Sequence, residues 1–139
     1  MSLTSLQNDP QVDFGKVTIS LSANINPSED MEKVREALSN IIPMNYSFDG
    51  RMLKARTQDL EALTNVYEKI RAKRSLGVLR RLLLRGMGDD SSTILLNRQA
   101  AYVGSVVFCE TEMEGPLGPL TLVVKADKIM NFIDWLAPH

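Results

Sequence analysis

The sequence predicts an α+β domain, a largely antiparallel sheet packed on helices in the order β-α-β-β-α(long)-β-β-β-α. Three observations carry that prediction. Apolar and polar residues alternate strictly over 17–25, the period of a strand with one buried face. Asp49-Gly50 lies between two short β-rich runs and marks a hairpin turn. Strands and helices do not alternate regularly, which argues against a parallel sheet. The 139 residues suit one domain with a sizeable core. Residues 1–15 read as a flexible N-terminal tail and 16–139 as the domain.

The first strand begins at Lys16, with Val17, Ile19, Leu21, Ala23 and Ile25 on one side. Asn26-Pro27-Ser28-Glu29 reads as a helix start, with Asn26 as cap, Pro27 at the first helical position and Glu29 reaching back. Met31, Val34, Leu38, Ile41 and Ile42 form that helix's apolar stripe, and Pro43 ends it. Tyr46 and Phe48 lie on one side of a short strand, and Met52–Arg56 returns after the turn. Thr57 reads as the cap of a second helix, favoured by Asp59 and Glu61, with Leu60, Leu63, Tyr67 and Ile70 facing inward. Ser75-Leu76-Gly77 bends or breaks it, and Leu79, Leu82 and Leu83 continue a stripe to Gly86, a natural C-cap. Thr93–Leu96 reads as a strand, Asn97–Ala101 as a turn or one helical turn, and Tyr102–Glu110 as β-rich. The segment from Gly115 to Pro119 is a rigid connection. Leu120–Ala126 is the last strand, and Asp127 starts a final helix with Ile129, Phe132, Ile133 and Leu136 inward.

The bulk composition, 44% hydrophobic and 24% charged, is that of a soluble globular chain. Cys109 is the only cysteine, so no intramolecular disulfide forms, which fits a reducing compartment. No apolar run approaches the roughly 20 residues that span a bilayer, and the N-terminus lacks the charged head and apolar stretch of a signal peptide. The expected location is the cytoplasm, without a membrane partner.

Charge is distributed less evenly than its total suggests. The chain has 16 Lys+Arg against 17 Asp+Glu, a formal net charge of -1, yet seven cations and no acid lie between Glu68 and Asp89. They are Lys69, Arg71, Lys73, Arg74, Arg80, Arg81 and Arg85. A run of one sign makes a local field, and guanidinium groups match phosphate. On one continuous helix, at about 100° per residue, Arg74, Arg81 and Arg85 fall in a narrow arc. Lys69, Lys73 and Arg80 fall in a second arc, and Leu79 and Leu83 lie away from both. Three guanidinium groups on one face can follow a phosphate backbone. The competing reading is a solvated helix face whose arginines pair with Glu61, Glu68, Asp89 or acids of another subunit.

Asn97-Arg98-Gln99 adds three side chains able to bond phosphates or base edges, and Tyr102 is able to stack on an open base. On residue types alone, Asn97 and Gln99 are better read as capping a turn. Catalytic readings are weaker. The only histidine is His139, which argues against a histidine triad or a His-rich metal site. Cys109 reads as a buried structural thiol. Gly86-Met87-Gly88 follows a helix rather than a strand, so the nearby dipole end repels anions. Glu110, Glu112 and Glu114 have the spacing of one strand face and could hold a divalent ion, but a solvated edge row is the better reading. No cofactor, metal or catalytic residue is expected.

Four strings in this order are diagnostic in combination: Arg80-Arg81-Leu82-Leu83-Leu84-Arg85-Gly86, then the run Leu96-Asn97-Arg98-Gln99-Ala100-Ala101-Tyr102-Val103-Gly104, then Pro116-Leu117-Gly118-Pro119, then Asp134-Trp135-Leu136-Ala137-Pro138. Over roughly residues 16 to 138 the chain resembles the archaeal uncharacterised protein family 0201, known as predicted RNA-binding or exosome-associated proteins. The resemblance implies a small α+β domain similar to the ribosomal protein that contacts 5S RNA, a homodimer and an archaeal cytoplasm. It carries over Arg80, Arg81, Arg85, Asn97, Arg98 and Gln99 as candidate contacts, with Lys the family's residue at position 98. Arg71, Lys73 and Arg74 continue a basic run that the family shares.

The leading expectation is therefore a non-catalytic RNA-binding domain that meets phosphates through a basic helix over 69–85, in association with an RNA-processing complex. Its site set is Arg71, Lys73, Arg74, Arg80, Arg81, Arg85, Asn97, Arg98 and Gln99. The alternative is a structural or adaptor protein that docks an acidic protein partner on the same face. A metal-dependent nuclease built on the Glu110 row comes third.

Overall fold

Alternation along Val17–Asn24 makes strand β1, with Val17, Ile19, Leu21 and Ala23 buried and Thr18, Ser20 and Ser22 half-buried on the opposite side. The computed structural model describes residues 13–111 and 117–138. After β1 come helix α1 (Met31–Ile41), strands β2 (Ser47–Phe48) and β3 (Met52–Thr57), a 3-10 turn (Leu60–Leu63) and helices α2 (Thr64–Ala72) and α3 (Leu76–Arg85). Strand β4 (Ser91–Leu96), helix α4 (Arg98–Tyr102), strands β5 (Phe108–Cys109) and β6 (Leu120–Ala126) and helix α5 (Ile129–Leu136) complete the chain.

The six strands form one sheet in the order β2-β3-β1-β6-β4-β5, and every neighbouring pair is antiparallel. Register puts Leu21 between Ala55 and Leu122, and Ile94 opposite Leu122, on the buried side. One residue along, the row Arg56, Ser20, Val123 and Thr93 lies on the other side. The helices cover one side only, supplying Val34, Leu38 and Ile41 from α1, Val66 and Ile70 from α2, Leu79, Leu82 and Leu83 from α3, and Phe132, Ile133 and Leu136 from α5. Each such side chain contributes about 1.5–3 kcal/mol by leaving water. Thr18, Ser20, Ser22, Lys54, Arg56, Thr121 and Lys125 stay outside this core on the uncovered side.

The predicted α+β class, antiparallel sheet and six strands agree with the structure. Local starts and stops differ, for physical reasons. Helix α1 is capped by Asp30, whose carboxylate accepts the Glu32 N–H, while Asn26 and Glu29 close a separate turn ahead of it. Tyr46 precedes β2 and is buried, whereas Phe48 is 45% exposed, so the two do not share a face. The hairpin turn is at Asp49-Gly50, where Gly50 takes φ 98° and Asp49 accepts the N–H groups of Arg51 and Met52. Thr57 ends β3 and accepts the Asp59 N–H, and Asp59 caps the 3-10 turn.

The long helix is two helices, and the break centres on Arg74, with Ser75 of the expected Ser75-Leu76-Gly77 string as the cap of the next helix. Arg74 takes φ 55°. Its N–H donates to the Arg71 carbonyl, and the Ser75 N–H donates to the Ile70 carbonyl. Those two bonds make the Schellman ending, with arginine at the left-handed position usually held by glycine. Gly77 lies inside the first turn of α3. Gly86 ends α3 with φ -89°, so its role is spatial: a Cβ there would stand 2.1 Å from the Thr93 carbonyl oxygen. Asn97–Ala101 becomes α4, only Phe108–Cys109 of the β-rich stretch pairs as strand, and the last helix starts at Ile129 after Lys128. Phe14 is buried against Phe132 and Trp135, so the packed fold reaches back at least two residues before Lys16.

Candidate nucleic-acid interface

Because α2 and α3 are separate, the seven cations split into groups with different neighbours. Lys69 and Lys73 of the α2 end reach over the loop after α4 and donate to the carbonyls of Gly104 and Val106. Arg71 lies on the ring of Tyr67, its guanidinium carbon 3.4 Å from the centroid, and donates to the carbonyls of Tyr67 and Trp135. Tyr67 in turn stacks on Trp135 at 5.3 Å. The Arg74 side chain is exposed and makes no hydrogen bond or ion pair with the described residues. On α3, Arg80 is nearly buried and bonds Asp134 at 2.8 Å and the Ala137 carbonyl.

Arg81 and Arg85, one turn apart, share Glu110. Arg81 closes a fork on its carboxylate at 3.1 and 2.6 Å, and Arg85 adds 3.1 Å to the carboxylate and 2.7 Å to the backbone carbonyl. These bonds, led by the one from Arg81, hold the Glu110 carboxyl down to about 2. The arginines thus pair with Asp134 and Glu110, not with Glu61, Glu68 or Asp89. Lys69, Arg71, Lys73 and Arg74 meet no carboxylate among the described residues. The region keeps a positive excess after its internal pairs are made.

Asn97 and Arg98 of the 97–99 string serve the fold. Asn97 caps α4 by accepting the Ala100 N–H. Arg98 is 1% exposed and bonds Glu29 at 2.7 Å with the carbonyls of Asn24, Gly118 and Pro119. Burial raises the Glu29 carboxyl, but the Asn26 N–H, the Asn26 amide and Arg98 outweigh it, and its pKa falls below the ordinary value. Tyr102 is half-buried and its hydroxyl donates to the same carboxylate. Arg98 is thus engaged in bonds inside the fold. Gln99 is exposed. Of the Glu110 row, Glu112 and Glu114 lie outside the described residues, as does His139.

Sequence reasoning missed the Glu29–Arg98–Tyr102 cluster and the role of Glu110. The separations, 69 residues for Glu29–Arg98 and 29 for Arg81–Glu110, exceed what local periodicity reports.

A family model described as RNA binding matches residues 18–126. A UPF0201 protein of Metallosphaera sedula is 37% identical over 125 residues, covering 87% of each chain. The chain belongs to the UPF0201 family. A UPF0201 protein of Thermococcus kodakarensis is 35% identical over 126 residues, covering 87% of this chain and 89% of that one. The crystal structure of a UPF0201 protein from Methanococcus jannaschii superposes with a TM-score of 0.74 at 28% identity, over 88% of this chain and 93% of that one. The solved Methanococcus relative shares the α+β sheet-and-helix layer described above. No helix among the described residues is long and apolar enough to cross a membrane.

Proposed function

We propose that this UPF0201 domain binds RNA without catalysing a reaction, in the cytoplasm, through the cationic surface of α2 and α3. The observation that carries the reading is the segregation of charge. Lys73, Arg74, Arg81 and Arg85 are exposed within one short stretch that internal acids only partly neutralise. Lys69 and Arg71 flank it. The family model's description as RNA binding supports the same partner. Arg80, Asn97 and Arg98 serve the fold in this reading, and Gln99 is a peripheral contact.

Contacts of this kind go to phosphates and sugars, which position a nucleic acid without reading its sequence. Tyr67, the aromatic ring of α2, is already stacked between Arg71 and Trp135 and is not open to a base. Four exposed cations predict a log-log salt slope of about 3 in magnitude. Charge reversal at Arg81 and Arg85 should abolish binding in an RNA titration while leaving the fold intact. Unchanged affinity in that double variant would remove the assignment.

A second reading is a protein-docking surface for an acidic partner. It is favoured by Val78 and Leu84, exposed beside Arg81 and Arg85, and by Val103, 80% exposed beside Gly104, the residue Lys69 grips. Binding of an acidic protein with no RNA affinity at physiological salt would select it.

A further inference from the structure

Arg81 and Arg85 present a geometry made for one anion. Arg81 gives two parallel N–H groups to the two carboxylate oxygens of Glu110, and Arg85 approaches one of those oxygens from the next turn. The three side chains are 53, 54 and 43% exposed, so the cluster stands in water. Among the described residues, two guanidinium groups share this one carboxylate, an excess of one positive charge. A phosphodiester presents the same forked anionic oxygens and the same single charge. Exposed ion pairs contribute little, because solvent competes for both partners. Nothing in the burial of this cluster makes the Glu110 contact permanent.

We infer that the Arg81–Arg85 fork is a phosphate seat on the RNA surface, and that Glu110 fills it in the free protein as a tethered competitor that an RNA phosphate displaces. This rests on the RNA-binding reading and adds the contact that is gated and the residue that gates it. RNA wins the exchange because it is polyvalent. RNA carries further phosphates for the other exposed cations of the stretch, whereas the Glu110 side chain brings a single charge. Isolated inorganic phosphate has no such advantage. The carboxyl, held at about 2, stays ionised through the neutral range, so competition rather than protonation opens the seat.

The test compares RNA affinity of the wild type with Glu110→Gln, which keeps the side-chain shape and removes the charge. Mixed-sequence single-stranded and duplex RNA serve as probes at two salt concentrations. If Glu110 holds the fork nine-tenths of the time, releasing it tightens binding about tenfold. The salt slope should steepen by about 0.7–0.9, because a phosphate then displaces counterions instead of a carboxylate. Glu36→Gln, at an exposed position of α1, makes the same change in net charge and should leave affinity within about twofold. The Glu110→Gln gain should vanish when Arg81→Gln and Arg85→Gln are also present.

Equal affinity of Glu110→Gln and wild type, with binding lost in Arg81→Gln/Arg85→Gln, overturns the gate and leaves RNA binding standing. A gain that survives in the triple variant, or that Glu36→Gln reproduces, reduces the effect to general charge and also overturns the gate. Absence of binding by both wild type and Glu110→Gln at low salt overturns the gate and the RNA reading together.

Discussion

Arg98 gives its guanidinium to Glu29 and to the carbonyls of Asn24, Gly118 and Pro119, joining the end of β1, the turn before α1, the start of α4 and the approach to β6. A buried charge with each of its three guanidinium nitrogens bonded holds, but removal of its counter-charge leaves it uncompensated in a low dielectric. Glu29→Gln should therefore cost about 3 kcal/mol in denaturant unfolding. The sign of the pH dependence follows from the lowered carboxyl of Glu29. A depressed folded-state pKa stabilises above the unfolded value and loses that contribution as pH falls through the folded value. The stability gap between wild type and Glu29→Gln should be full at neutral pH and shrink below about 4.5. A gap that grows on acidification would contradict the buried pair. The residue type at position 98 suggested a contact for RNA, and only the fold reveals a clamp. Arginine suits phosphate and carboxylate equally, and what decides between them is a partner far away in sequence.

At the scale of elements, the join between α2 and α3 sets where the cations point. Arg74 occupies a left-handed backbone position with φ 55°. That conformation costs a non-glycine residue about 1–2 kcal/mol, against about 0.5–1 kcal/mol for the freedom glycine loses on folding. Arg74→Gly should raise stability by about 0.5 kcal/mol while weakening RNA binding by one cation. A stability measurement and a titration on the same variant separate the two effects, and loss of stability would refute the backbone account. At the other end of α3, the backbone of Gly86 abuts β4. Gly86→Ala should cost about 3 kcal/mol by overpacking, read as a lower denaturation midpoint, and a neutral effect would refute the close approach. Strands β1, β4 and β6, the hairpin and the apolar stripes were legible because each repeats with its own period. The helix break was expected at Ser75-Leu76-Gly77 and falls next to it, but the left-handed residue that makes it was not legible, because it is an arginine rather than a glycine. Gly86 was expected at the right place as a C-cap, but its stringency comes from β4, which the local sequence does not contain.

The whole molecule has two cationic sides with different characters. The helix side carries the Lys69–Arg85 stretch. The uncovered side of the sheet carries Arg56 and also Lys54 and Lys125, which pair with Asp49 and Asp90. Net charge does not distinguish them, since the chain totals -1 and reversal on either side changes that total equally. Local geometry does, because phosphate contacts act within a Debye length of about 8 Å at physiological salt. The concentration of positive charge was visible in the sequence, and the family resemblance gave the fold and the proposed partner. Which cations face a partner was not visible, because that depended on Asp134 and Glu110 arriving from other elements.

The most direct measurement is a titration of RNA against wild type, Arg81→Glu/Arg85→Glu and Lys54→Glu/Arg56→Glu, at two salt concentrations, with thermal melts as controls for folding. Salt-dependent binding is predicted for the wild type and the sheet-side variant, with binding lost in the α3 variant. Equal loss in both variants, or equal binding by all three proteins, would contradict an RNA surface on α2 and α3.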